Sequence, residues 1–286
     1  MSSPRSPIIV IGMLRSGTTM SGGLLEALGA FMGVDQEWNG ESLFFRRLNE
    51  WMVEYSGGNV EFPDSYLLAR RHRRLMELHN DYLRVSIDSP RAFRFLGWKR
   101  YWRYRGLSRI DEPWGWKDPL TTITLPNWLA VFPNARVVCL RRHGVDVAAS
   151  LRTRHRWMFD RAEESYRKRR WLYRFKQKDR GFADLRAAFL GRGFSMWELY
   201  NRQVSRYLAL YPEQTLEVHY EKLLADPANE LGPIAAFCGI DTTPEAVARV
   251  AASVKPSRAF AYQKDRELAR FARAVEPRLA RYGYKA

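Results

Sequence analysis

Residues 8–11, Ile-Ile-Val-Ile, form an unbroken β-branched run bounded by Pro7 and Gly12. No polar residue alternates with them, so both faces must be buried, as in a central strand of a parallel sheet. Thr18 then opens a helical spacing through Leu24, Leu25 and Leu28, ending near Gly29 or Gly33. Strand, glycine-rich turn and helix make the first half of a βαβ unit. The order recurs: residues 135–140 are a second buried strand after Pro133-Asn134, Gly144 breaks it, and residues 145–151 carry a helical pattern. Residues 215–220 are a third strand, after a helical stretch at 195–210 and Pro212. Short helices follow at 221–225, 231–237 and 244–252, and a last one at 268–279 has its basic residues on the polar side. Trp114-Gly115-Trp116-Lys117 reads as a further strand ending at a turn. The alternation predicts an α/β fold with a P-loop-like parallel sheet flanked by helices on both faces. A single domain spanning residues 1–286 is expected, with helical elaborations at 41–110 and 152–195 over the strand ends, where α/β proteins bind ligands.

Composition narrows the partners without choosing among them. Against 31 Asp and Glu stand 47 Lys and Arg, a formal charge of +16, so the surface attracts anions. Cys139 and Cys238 both sit in apolar runs and read as small buried hydrophobes. Two cysteines build neither a disulfide framework nor a zinc cluster. His72, His79, His143, His155 and His219 show no metal-ligand spacing, so no metal is expected. The apolar start is too short for a signal segment, and no stretch nears the roughly 18 apolar residues a transmembrane helix needs. The expectation is a cytoplasmic protein without a transmembrane segment.

The turn after the first strand carries the first chemistry. In Gly12-Met13-Leu14-Arg15-Ser16-Gly17-Thr18-Thr19, the two glycines keep the spacing of a nucleotide-binding phosphate loop. Glycines let the chain wrap an anion, and open amides at a helix start point at it along the helix dipole. Arg15 adds a fixed cation, and Thr18 and Thr19 add hydroxyls. A kinase or ATPase loop has lysine directly after the second glycine; here that residue is Thr18. The bland alternative is an ordinary tight turn.

A second anion site is expected at Arg142, at the end of the 135–140 strand and on the same sheet edge if the strands are parallel. Asp146 and Ser150 stand four apart on the following helix and so share a face. Ser150 can offer its hydroxyl beside Arg142, while Asp146 can brace the turn. A solvated basic corner is the alternative. Two such sites on one edge suit a nucleotide phosphorylated at both ends of its ribose.

At this point the chain resembles the sulfotransferases that use 3′-phosphoadenosine 5′-phosphosulfate (PAPS). Arg15-Ser16-Gly17-Thr18-Thr19 matches their 5′-phosphosulfate loop, and Arg142, Asp146 and Ser150 match their Arg-x-x-x-Asp-x-x-x-Ser motif for the 3′-phosphate. The stretch from Tyr220 to Pro227 is a third match, its tyrosine lying near the adenine in the family. The resemblance implies sulfuryl transfer from PAPS, without a metal, to a hydroxyl acceptor (carbohydrate, lipid or small alcohol or phenol), leaving 3′-phosphoadenosine 5′-phosphate. Lys255-Pro256-Ser257-Arg258 follows, and family members return a loop from there to the 3′-phosphate, so Ser257 and Arg258 are candidates. The Arg-Lys-Gly motif of cytosolic members is missing.

The base is the open question. Cytosolic members place a catalytic histidine in Lys-Thr-His; this chain has Lys117-Asp118-Pro119, as in the protein-tyrosine and some bacterial members. In the tyrosine enzymes a glutamate after the first helix is the proposed base, and Glu41 in Asn39-Gly40-Glu41-Ser42 lies in the comparable place. Glu41 is therefore the first candidate and Asp118 the second, with Lys117 and Arg15 supporting the transferring group. A Lys117 salt bridge to either acid is the alternative for that lysine.

Residues 152–180 hold twelve Lys or Arg, four acids and six aromatics. The expectation is an amphipathic cap whose apolar side covers the site, with acceptor contact second and nucleic acid disfavoured. Trp51, Trp98, Trp102 and Trp128 are read as core or site wall. The competing functions are a P-loop-type phosphotransferase, against which Thr18 weighs, and a non-catalytic polyanion-binding protein. Oligomeric state is left open.

Overall fold

A computed structural model describes residues 3–178, 185–255 and 259–286. The chain divides into two compact units, residues 1–142 with 200–259 and residues 143–199 with 260–286.

The first unit is built on four parallel strands, β1 (Ile8–Gly12), β2 (Gly115–Lys117), β3 (Arg136–Arg141) and β4 (Thr215–His219), in the order β2-β1-β3-β4. Every residue of β1 is buried, as its unbroken apolar run requires. Its register sets Val10 beside Lys117 on one side and Gly12 beside Leu140 on the other. On one face of the sheet Ile8, Val10, Val138, Leu140 and Val218 meet Leu24 and Leu25 of helix α1 (Thr18–Ala27). Successive residues of a strand point to opposite faces, and an aromatic cluster around Trp114, Trp116, Trp128 and Phe45 fills another part of the core. There Phe45 stacks on Trp116 with centroids 3.8 Å apart.

The 41–110 stretch carries four α-helices: α2 (Leu43–Glu54), α3 (Asp64–Ala69), α4 (Arg73–Ile87) and α5 (Phe93–Tyr104). Gly97, at φ 67°, kinks α5, and a Cβ added there would come within 3.1 Å of Val34. Helix α6 (Thr121–Val131) precedes β3. Trp128 is core, but Trp98 and Trp102 are 67% and 50% exposed, which corrects their reading as core or wall. Their partners across the helix, Phe95, Leu96 and Tyr104, take the buried side instead.

The second unit begins with α7 (Gly144–Arg169). The pattern at 145–151 marks only its buried first turns. The helix continues because residues 152–169 contain no Gly or Pro and carry i,i+4 pairs Glu163–Arg167 and Glu164–Lys168, each 2.5 Å. Trp157, Met158, Phe159, Trp171 and Phe175 are exposed, so the expected cap with a buried apolar side is not formed; residues 179 and 180 lie outside the described residues. α8 (Leu190–Leu210) starts in this unit and ends in the first. Phe194 and Trp197 contact Phe271 and Tyr282 at centroid distances of 5.9 and 4.9 Å.

In the first unit, α9 (Tyr220–Ala225), α10 (Pro227–Phe237) and α11 (Pro244–Ala251) follow β4, so Tyr220 opens a helix rather than closing the strand. The final pattern at 268–279 is two helices, α12 (Arg266–Ala274) and α13 (Glu276–Ala280), in the second unit. Pro277 explains the break: it suits a helix's first turn and removes a donor from any continuing helix.

Candidate active site

Parallel pairing puts the carboxyl ends of all four strands at one sheet edge. The glycine loop follows β1, Lys117 ends β2, Arg142 follows β3 and Tyr220 follows β4. Such an edge is where open α/β sheets bind ligands.

The loop is held from within and from a neighbour. The Ser16 hydroxyl and amide both donate to the Met13 carbonyl, at 2.6 and 3.0 Å, so Ser16 shapes the turn. Thr122 brackets Gly12: its Oγ1 accepts from the Gly12 amide at 3.0 Å and donates to the Gly12 carbonyl at 3.2 Å. Arg15 sits at the exposed apex with φ 74°, a left-handed conformation that costs a non-glycine residue about 1–3 kcal/mol. Gly17 caps α1 at φ 98°, and a Cβ there would lie 2.3 Å from Cδ2 of Tyr220. Its glycine is required twice, by conformation and by space. The first intrahelical bond runs from the Ser21 amide to the Gly17 carbonyl at 3.0 Å, which leaves the amides of Thr18, Thr19 and Met20 without acceptors inside the helix.

The two arginines that close β3 part company. Arg141 is buried, its Nε 2.7 Å from Glu217 and its Nη2 donating to Ser205 at 2.8 Å. Arg142 turns to the loop, donating from Nη1 to the Arg15 carbonyl at 3.3 Å. Its guanidinium also lies 4.6 Å from the centre of the Tyr220 ring. Tyr220 is thus a buried floor touching Gly17 and Arg142 together.

Beside this floor lies a buried ionic cluster. Lys117 is 1% exposed; its ammonium is 3.1 Å from Glu41 Oε1 and donates to the Asn39 carbonyl at 2.8 Å. Thr19 Oγ1 stands 3.5 Å away, joining the cluster to the loop helix. Burial pulls the Lys117 pKa down, and the Glu41 charge opposes the shift.

Asp118 faces inward. Its Oδ2 accepts from Asn49 at 2.6 Å and its Oδ1 from the Leu120 amide at 3.0 Å. Burial, then the Glu41 charge, push its pKa up to about 7. Asn49 is satisfied on every side, donating also to Thr121 Oγ1 at 2.8 Å and accepting from Thr124 and Trp128, each at 2.7 Å. Both Asp118 oxygens thus accept hydrogen bonds, one from α2 and one from the turn after Lys117.

Glu41 has its own support. Asp35 accepts from Ser42 Oγ at 2.9 Å and from the Phe44 amide at 2.7 Å, fixing the start of α2 directly after Glu41. Sequence reasoning singles out none of Asn49, Thr122 and Asp35. Each is a lone polar residue whose role depends on its folded partners, and no local spacing marks it.

The remaining candidates divide. Asp146 and Ser150 lie in the second unit, where Asp146 accepts from the amides of Ala261 and Tyr262 at 3.3 and 2.8 Å and so braces that turn. Ser257 and Arg258 fall outside the described residues. Among the described residues no three His, Cys, Asp or Glu side chains gather as a metal-holding group, and no helix is long and apolar enough to cross a membrane.

The loop, the cations and the paired acids thus gather at one edge of a parallel α/β sheet. The profile described as the sulfotransferase family matches residues 7–244, and the chain belongs to that family. The class chemistry is sulfuryl transfer. Among solved structures the chain is similar to the sulfotransferase domain from the curacin biosynthetic pathway, at 16% identity over 96% of this chain and 98% of that one, TM-score 0.47. It is similar to sulfotransferase STF9 from Mycobacterium avium, at 16% over 90% and 70%, TM-score 0.47. A sulfotransferase from Alicyclobacillus acidocaldarius gives 16% over 99% and 97%, TM-score 0.44. Curated proteins give no match.

Proposed function

We propose that the protein transfers a sulfuryl group from PAPS to a hydroxyl-bearing acceptor: a carbohydrate, a lipid, or a small alcohol or phenol. One observation supports this above the others. Arg142 and the Arg15 loop adjoin at 3.3 Å beside a shared tyrosine floor, which supports reading them as neighbouring sites for the two phosphates of one nucleotide. The residues fit such a ligand: the loop packs at Gly17 directly on the Tyr220 ring, where a Cβ would collide, and the first-turn amides of α1 point from a positive helix end.

When bound, PAPS supplies the sulfuryl group on a phosphate leaving group. Arg15, Gly17, Thr18 and Thr19 would hold the 5′ end, with Arg15 offsetting charge that grows on the leaving oxygen. Arg142 would hold the 3′-phosphate by charge-assisted hydrogen bonds, with Ser150, Ser257 and Arg258 as further candidates from the sequence. Tyr220 would lie by the adenine. Ser16 serves by shaping the loop.

Glu41 would take the acceptor's proton, using the oxygen that does not face Lys117. Lys117 would then stand where it can offset charge on the transferring group, while Asp118 positions it. The Lys117-Asp118-Pro119 resemblance read from the sequence is the motive for this choice of base.

Thermal-shift comparison of adenosine 3′,5′-bisphosphate with ATP, ADP and AMP tests the donor. The bisphosphate should stabilise most, without magnesium. A larger magnesium-dependent shift with ATP would instead favour a phosphotransferase.

A further inference from the structure

Helix α5 carries a surface that the candidate site does not use. Residues 89–110 contain seven Arg or Lys and no Asp or Glu. Arg100 pairs with Glu112 at 2.6 Å and Arg103 with Asp111 at 2.9 Å, which still leaves the segment strongly positive. On this basic ground Phe93, Trp98 and Trp102 are 43%, 67% and 50% exposed.

The rings form one continuous ledge. Phe93 meets Trp98 at 6.3 Å and Tyr101 at 5.6 Å, and Trp98 meets Trp102 at 5.5 Å, all edge to face. The Arg105 guanidinium lies 3.8 Å over Trp102. Because Phe95, Leu96 and Tyr104 already fill the buried side, these rings are not spare core. A contiguous exposed apolar patch with a polar rim marks an interaction surface.

We propose that this ledge docks the protein on an anionic membrane surface, with the indoles in the headgroup layer and the basic side chains against lipid phosphates. Tryptophan prefers that layer because its ring is apolar and its N–H polar. Anionic lipid attracts a basic cluster, at about 1 kcal/mol per Lys or Arg. A second copy of the chain fits poorly, since its own basic segment would be brought against this one. Single-stranded nucleic acid also fits poorly. It needs open ring faces along a groove, whereas here the rings abut each other and one is covered by arginine. The proposal does not rest on sulfuryl transfer.

Co-sedimentation of the full chain with vesicles tests it. Binding is expected to vesicles of phosphatidylglycerol and phosphatidylcholine, and not to phosphatidylcholine alone. The double substitution Trp98→Ser, Trp102→Ser should weaken partitioning about tenfold or more, and Lys99→Ala about fivefold. Trp157→Ser, on α7, should leave it unchanged. Circular dichroism and Tm establish that each variant is folded. No vesicle binding, or binding indifferent to the Trp98 and Trp102 substitutions, overturns the proposal. So does a loss on substitution confined to oligonucleotide binding or to a self-associated dimer.

Discussion

Arg142 donates from Nη1 to the main-chain carbonyl of Arg15 across 3.3 Å, tying the residue after β3 to the apex of the loop after β1. That bond takes one of a guanidinium's five donors and holds the cation beside the loop. The loop in turn gains a brace for an apex residue held at φ 74°.

Arg142→Ala should lower affinity for adenosine 3′,5′-bisphosphate about tenfold to a hundredfold, the scale of a hydrogen bond to a charged group. AMP should lose less than about threefold. Calorimetric titration of both ligands checks this, and an equal loss for both would show that Arg142 serves the loop rather than the 3′-phosphate.

Glu41→Gln should leave nucleotide binding unchanged and lower turnover about a hundredfold or more, as expected for a general base. Steady-state rates at saturating acceptor provide the check. Near-normal turnover removes Glu41 from that role.

Gly17→Ala should destabilise the fold by about 3 kcal/mol or more, since it combines left-handed strain with a side-chain collision. The Cβ would stand 2.3 Å from the Tyr220 ring at a φ of 98°. Denaturant unfolding measures the change. A loss below about 1 kcal/mol would mean that the tyrosine floor is loosely held.

Asp118 gives a pH signature. Its folded pKa, about 7, lies above the ordinary 3.8, so the folded protein holds this proton more tightly than the unfolded chain. That contribution is complete below about pH 4 and is lost as pH rises toward 7. Asp118→Asn removes it, so the Tm advantage of wild type over the variant should shrink from about pH 4 to about pH 8. A constant difference over that range would contradict the inward, desolvated placement.

The sheet is legible in the sequence because its signal is local. Residues 8–11 and 137–140 are apolar without alternation, as a strand buried on both faces requires. Glycine spacing and Arg15 mark the loop in the same way, from neighbouring residues alone. What stays hidden depends on distant partners. Asn49 bonds Asp118 from far along the chain, Thr122 brackets Gly12, and nothing in their neighbourhoods announces it. Trp98 and Trp102 mislead for a related reason: a tryptophan implies burial by its size, but α5 gives its buried side to Phe95, Leu96 and Tyr104. The reach of α7 escapes notice because charge-rich sequence lacks apolar periodicity, while ion pairs one turn apart still support a helix.

The two-pocket arrangement is tested most directly by calorimetric titration of the full chain with adenosine 3′,5′-bisphosphate, AMP and adenosine 3′-monophosphate. If one ligand spans the Gly17 loop and Arg142, the bisphosphate should bind about a hundredfold more tightly than either monophosphate, each phosphate adding charge-assisted hydrogen bonds. Affinities equal within about threefold across the three nucleotides would contradict it.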